Sequence, residues 1–170
     1  MRPDDPRLVK MLLPHAALLT KEPQIKAVRK ALRKYEKELE QEGRESEADE
    51  SLVPSDWPFW EYTRGKKALL VGGDRRARVV DRLRDTFEFS DVDWESGWNI
   101  RKLETLATKV NNGQVDIVLF LARFMSHTTC DFLVRACKAQ GVPFLTIERG
   151  YGVSRIKYTI EQYFRSHVTE

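Results

Sequence analysis

The sequence predicts an α/β domain with a four-stranded parallel sheet and flanking helices, preceded by an N-terminal helical segment. The first observation is that short apolar runs and amphipathic helical patterns alternate four times between residues 67 and 165. The second is that residues 115–122, VDIVLFLA, are apolar almost throughout, as in strands buried on both faces of a parallel sheet. The third is that glycines close the first strand-like run and follow the third helical run, where turns are expected.

Composition divides the chain into three segments. Residues 1–42 form the N-terminal helical segment, residues 43–56 an acidic linker without a clear period, and residues 57–170 the α/β domain. We call residues 57–62 the aromatic segment, because four of its six residues are aromatic. We expect these side chains to pack onto the domain, since large aromatic residues in a small chain usually bury area.

The N-terminal segment contains one strongly patterned helix. Apolar residues recur there at steps of three and four: Ile25, Val28, Leu32, Tyr35 and Leu39. Lysine and arginine cover the remaining face, so the pattern is typical of a helix packed by its apolar stripe with a solvated outer face. Three alternatives stay open for the 25–39 helix: a homodimer seam, a surface for a partner protein, or a surface for nucleic acid.

Charge and hydropathy exclude some classes of partner. Lysine and arginine number 29 against 26 acidic residues, and this net charge of +3 is too small to indicate nucleic-acid binding by itself. No apolar run is long enough to span a bilayer, and no convincing secretory cleavage site follows the N-terminus. We therefore expect no membrane partner and a cytoplasmic location. Cys130 and Cys137 fall about 10 Å apart along a helix axis, beyond disulfide reach, and are expected to stay reduced.

Ligands of open parallel sheets bind outside the carboxyl ends of the strands. Three predicted loops share that edge, at residues 72–76, 123–127 and 148–152, and each opens a helix. Helix starts offer free N–H groups to anions, and arginines supply forked donors, so the ligand is expected to be an anionic small molecule or a nucleic acid. The predicted ligand-binding residues are Gly72, Gly73, Asp74, Arg75, Arg76, Ser126, His127, Arg149, Gly150 and Gly152.

Other interpretations of this edge stay open. The glycine pair is neither a dinucleotide fingerprint nor a P-loop, so it is also consistent with a simple turn. Asp74 and Ser126 are equally suited to cap helices. His127, with Asp74 or Glu148 as a partner, is the candidate acid–base group of a phosphate-directed hydrolase or nuclease. Because no recognisable catalytic set surrounds it, we favour a non-catalytic binding or regulatory module.

Five motifs between residues 67 and 164 share a pattern with a known family. They are LLVGGDRR, WESG, NIRKL, VDIVLFLARFMSH and CKAQGVPFLTIERGYGVSRI. Together they resemble the bacterial domain-of-unknown-function 2325 family, and the Ser126–His127 pair is the most specific element. The resemblance implies a small Rossmann-like domain carried behind a helical segment.

The same resemblance introduces a haem or metal-binding sensor as a further alternative. Some members of the family are associated with haem through an N-terminal histidine-rich segment, of which this chain keeps His15. His127 is the second candidate, since His127, Cys130 and Asp131 have a spacing that suits one helix face. One segment supplies fewer ligands than the four of a closed zinc site, so no cofactor is assigned.

Overall fold

The computed structural model describes the following residues: 30, 34, 37, 38, 41, 52–73, 75–95, 100–122, 127–148 and 150–167, with the backbone alone at 100–103 and 127–130. The chain divides into two compact units, Met1–Arg44 and Glu45–Glu170. In the first unit the five described residues are helical and exposed, and Lys34 Nζ lies 3.9 Å from Glu38 Oε1. These residues belong to the polar face of the predicted helix. The boundaries predicted at residues 42 and 56 stay predictions.

The second unit has the predicted fold class. In its described part, four strands and four α-helices alternate along the chain. The strands are β1 (Lys67–Val71), β2 (Asp91–Glu95), β3 (Ile117–Leu121) and β4 (Phe144–Ile147). The helices are α1 (Ala77–Phe87), α2 (Ile100–Asn111), α3 (His127–Gln140) and α4 (Val153–His167), and a 3-10 helix occupies Trp60–Tyr62. None of the described helices has the length and apolarity that a membrane crossing needs.

All four strands are parallel and lie in the order β2-β1-β3-β4. The prediction that VDIVLFLA lies at the centre of the sheet is confirmed, because every residue of β3 is buried between neighbours on both sides. β2 lies at one edge and carries acidic residues at its three positions that are not buried, 91, 93 and 95. Such charge on an edge strand discourages pairing with another chain.

One face of the sheet is covered by α2 and α3, which pack together. Alternate strand residues such as Leu69 and Val118 point into this layer, as the period of two requires. The Cys137 thiol is free and fully buried here, and burial raises its pKa to about 11. The thiol therefore stays protonated at neutral pH and acts as an apolar core group, as expected for a reduced cysteine.

The opposite face is covered by α1 and α4. The four predicted core residues of α1 are all buried: Val79, Val80, Leu83 and Phe87. For α4 the sequence predicts an apolar face of Val153, Ile156, Ile160 and Tyr163, and this prediction is wrong at its last position, because Phe164 is buried and Tyr163 is only half-buried. The reason is a tertiary contact: the Tyr62 ring stacks on Phe164 with centroids 3.7 Å apart, whereas Tyr163 stacks on His167 near the end of the helix.

The aromatic segment packs onto α1 and α4, which confirms its predicted role. Trp57 is buried, its ring centroid lies 5.9 Å from that of Phe87, and its Nε1 donates a 2.8 Å hydrogen bond to Glu161 Oε1. Trp57 thereby connects the C-terminal part of α1 with α4. This contact lies at the far end of α1 from the loops that leave the carboxyl ends of the strands.

Candidate functional site

The strand order creates a topological switch point at the carboxyl ends of β1 and β3. From β1 the chain moves outward to form β2, then passes back beyond β1 to form β3, and continues away to β4. The connections that follow β1 and β3 therefore run in opposite directions, which is where open α/β sheets bind their ligands. Residues 72, 73, 75 and 76 follow β1, and His127, the first residue of α3, comes after β3 in the chain. The structure thus brings these two predicted segments to neighbouring strand ends.

The turn after β1, which we call the glycine turn, is formed by Gly72 and Gly73. β1 ends at Val71, so the two glycines leave the strand at once rather than extending it. Their φ angles are 102° and 67°, and both residues are buried. Because only glycine adopts such angles without strain, the turn needs both residues for its backbone alone.

Trp94 of β2 holds the glycine turn in place. Its Nε1 donates a buried 2.7 Å hydrogen bond to the Gly72 oxygen, and Gly72 N donates to the Glu95 oxygen at 2.9 Å. The Trp94 ring meets Tyr151 edge to face, with centroids 5.2 Å apart, and both rings are almost fully buried. Tyr151 belongs to the loop after β4, so one tryptophan joins that loop to the turn after β1.

Sequence reasoning missed both aromatic residues. A signal was present for Tyr151, which lies between two of the predicted glycines, Gly150 and Gly152. For Trp94 the only signal was its place near the end of a segment whose strand pattern is weak. Its contact with Tyr151 depends on the β4 loop crossing the carboxyl edge of the sheet, from one edge strand toward the other.

α1 begins at Ala77, and residues 74–76 separate it from the glycine turn. Its N-cap residue is Arg76, which makes no side-chain cap hydrogen bond, and its first turn contains no acidic residue. The first N–H groups of a helix have no partner within the helix, and the helix dipole adds positive potential there. Arg75 is exposed beside this end and Arg76 is half-buried. These features favour a negatively charged group. The cap position is not Asp74, which lies outside the described residues.

The remaining predicted residues lie at the same edge or outside the described part. His127 is the first residue of α3, as predicted, and Ser126 before it lies outside the description. Gly150 has a φ of 64°, and the oxygen of buried Gly152 accepts a 3.1 Å hydrogen bond from Ile156 N at the start of α4. Arg149 between β4 and Gly150 lies outside the described residues as well.

The catalytic and metal alternatives stay predictions. The His127 and Cys130 side chains and all of His15 lie outside the described part, so their approach to Asp74, Glu148 or a metal is untested. Within the described side chains, no group of three or more His, Cys, Asp or Glu residues is placed to hold a metal ion.

Comparison with known proteins adds little to this geometry. No family model matches the chain, and no curated protein matches its sequence. The resemblance to the domain-of-unknown-function 2325 family therefore stays a prediction.

Two solved structures illustrate the structural matches. A mutant of the laminin-binding adhesin Lmb from Streptococcus agalactiae has a TM-score of 0.37 and 13% identity, covering 84% of this chain and 52% of the adhesin. An FpvC mutant from Pseudomonas aeruginosa has a TM-score of 0.33 and 16% identity, covering 96% of this chain and 54% of FpvC. The chain spans about half the length of both proteins. TM-scores this low do not establish a shared fold.

Proposed function

We propose that this chain is a non-catalytic binding module that holds a phosphate or another anionic group at the carboxyl edge of its sheet. The observation that carries the proposal is the glycine turn, which lies at the switch point and is followed, after residues 74–76, by the start of α1. This edge combines three features that recur in phosphate sites: an open parallel sheet, a turn made of glycines and the start of a helix.

The groups available at this edge suit an anion better than a neutral ligand. Backbone N–H groups of the first turn of α1 supply donors and partial positive charge, and Arg75 adds an exposed guanidinium beside them. His127 begins α3 at the neighbouring strand end and would add a second helix start. Arg76 and Arg149 complete the set that we expect to converge on the same anion. The anchoring of the glycine turn by Trp94 supports a preformed site, which reduces the entropy lost on binding.

The proposal is tested by titrating the full chain with ADP and, separately, with inorganic pyrophosphate in a calorimeter. Arg75→Ala should weaken binding of either probe by about ten-fold, because a charge-assisted hydrogen bond contributes about 1.5–3 kcal/mol and each 1.4 kcal/mol is a factor of ten. The fold should persist, since Arg75 is exposed and lies outside the helix.

Arg135→Ala provides the matched control. Arg135 is also exposed, and its replacement removes the same charge. It lies in the middle of α3, away from the carboxyl edge of the sheet. This variant should bind both probes as the wild type does. Equal losses in the two variants, or no binding of either probe to the wild type, would contradict the proposal.

A further inference from the structure

The two edges of the sheet differ in how they are protected against pairing. β2 carries an acidic residue at each of its positions that are not buried, and this charge discourages another strand. β4, at the other edge, has the sequence FLTI and carries no charge. Its Phe144 is half-buried and its Thr146 is exposed. β4 is therefore the edge at which the sheet can be extended.

The outward backbone groups of β4 belong to Phe144 and Thr146. Val118 lies opposite Phe144 in the parallel register, and its N–H donates to the Pro143 oxygen at 2.9 Å. In a parallel ladder a residue bonds to the two neighbours of the residue opposite it, so Pro143 and Leu145 face β3. The N–H and C=O groups of Phe144 and Thr146 point away from the sheet, and no described residue bonds to them.

One side of α3 lies above this edge. Ala136 packs against the core cluster that includes α2, so its side of the helix faces α2. Asp131, Val134 and Lys138 recur at steps of three and four, and their side lies about 160° around the helix from Ala136. That side faces β4, to which α3 leads by a right-handed crossover. We call Asp131, Val134 and Lys138 the α3 stripe.

The α3 stripe is self-complementary. Its end residues, Asp131 and Lys138, are exposed, and neither forms an ion pair with a described residue. They are seven residues apart, about 10 Å along the axis at 1.5 Å per residue, with half-buried Val134 between them. A two-fold axis beside Val134 reverses the direction of the stripe. It therefore brings the acid of each copy to the base of the other, and the two apolar centres together.

We propose that two copies of this chain form a symmetric dimer in which their β4 strands pair antiparallel. With the two-fold axis at Leu145, Phe144 of each copy lies opposite Thr146 of the other. These are the residues with free backbone groups, so each of the two opposed pairs exchanges two hydrogen bonds. The two four-stranded sheets become one continuous sheet.

The layer of helices suits the same axis. α3 packs against β3 and Phe144, so its axis lies above the gap between β3 and β4. With strands about 4.8 Å apart, α3 and its symmetry mate are two spacings apart, about 10 Å, as in packed helices. Leu133 and Cys137 share the core cluster with the β3 residues on either side of Leu119. Since Leu119 lies opposite Leu145, the middle of α3 is level with the axis.

The α3 stripe is the reason to assign a second copy to this edge. A strand from an unrelated protein would satisfy the backbone groups of β4, but it would not supply the matching acid and base. The dimer is also independent of the proposed function. Antiparallel pairing places the two carboxyl edges at opposite ends of the joined sheet, so each anion site stays within one chain.

The test measures the mass of the full chain by sedimentation equilibrium over a range of protein concentrations. The wild type should approach twice the chain mass of 19.8 kDa. Asp131→Lys and Lys138→Asp should each raise the dimer dissociation constant about ten-fold, because each turns two attractive contacts into repulsive ones. The double variant should associate as the wild type does, since opposite charges face each other again. Arg135→Glu reverses an exposed charge of α3 outside the stripe and should have no effect.

Thr146→Pro tests the strand pairing separately. It removes an outward N–H but no hydrogen bond within the sheet, and proline is tolerated at such positions of edge strands. The dissociation constant should rise by about ten-fold or more, while the far-ultraviolet circular dichroism spectrum stays that of the wild type. If this variant fails to fold, the charge exchange alone decides.

Three results would overturn the dimer. They are a monomer at every concentration, a dimer that tolerates all of these changes, as a seam along the 25–39 helix would, and single charge variants whose loss the double variant does not recover. ADP titration of the same variants keeps the two proposals apart. Because the anion site lies within one chain, ADP binding should persist in the monomeric variants, and its absence from the wild type would count against the proposed function alone.

Discussion

Replacing Trp94 with phenylalanine tests whether this residue holds the glycine turn. The substitution keeps an aromatic ring on β2 but removes the Nε1–H that donates to the Gly72 oxygen at 2.7 Å. That oxygen is then left in a buried region without its donor, which costs about 1–3 kcal/mol. The smaller ring also loses part of its packing and of its edge-to-face contact with Tyr151, about 1 kcal/mol more. The expected loss in the free energy of unfolding is therefore about 2–4 kcal/mol.

Urea denaturation followed by far-ultraviolet circular dichroism measures this loss. With an m value of about 2 kcal/mol/M, the midpoint should fall by about 1–2 M. Trp60→Phe is the matched control, because the Nε1 of half-buried Trp60 also donates to backbone oxygens, those of Pro54 and Ser55 at 3.1 Å. Those two residues are exposed, so water replaces the lost donor and the cost should be about 1 kcal/mol or less. A loss in Trp94→Phe no greater than in Trp60→Phe would refute the anchoring role.

Two further predictions concern backbone conformation and charge. Gly73→Ala and Gly141→Ala, at φ angles of 67° and 66°, should each destabilise the protein by about 1–2 kcal/mol in urea titrations, but only Gly73→Ala should also weaken ADP binding. Loss of ADP binding in both variants would show that the effect is not local to the site. The Arg64 guanidinium donates hydrogen bonds to Glu88 and lowers the pKa of that carboxyl. This pair therefore stabilises the fold at pH values above the ordinary glutamate pKa of about 4.3, and the stabilisation is lost as the pH falls through the lowered pKa. The difference in urea midpoint between the wild type and Glu88→Gln should therefore shrink from pH 7 to below about pH 4, and a constant difference would contradict the pairing.

Local sequence pattern was enough to predict the elements of the α/β domain and most of its core. All four helices and four strands occur where the patterns indicated, with ends that differ by only a few residues. Burial follows from the periods of 3.6 and 2, which depend only on chain geometry and on the exclusion of apolar groups from water. The exception in α4 shows the limit of this reasoning. Tyr163 and Phe164 are adjacent and both border the apolar stripe, and a ring from the distant aromatic segment decides which is buried.

The sequence by itself determined the parallel α/β fold class, the glycines that close β1, and the loops that meet at one edge of the sheet. Those features follow from short-range chemistry: apolar runs, glycine conformations and helix starts. The strand order β2-β1-β3-β4, and with it the position of the switch point, was decided only by the tertiary structure. The same holds for the contact that brings Tyr151 from the β4 loop to Trp94 on β2 and secures the glycine turn. The strand order and this contact both depend on which strands become neighbours. The pairing energy between similar apolar strands does not favour one strand order over another until the helices and the sheet pack together.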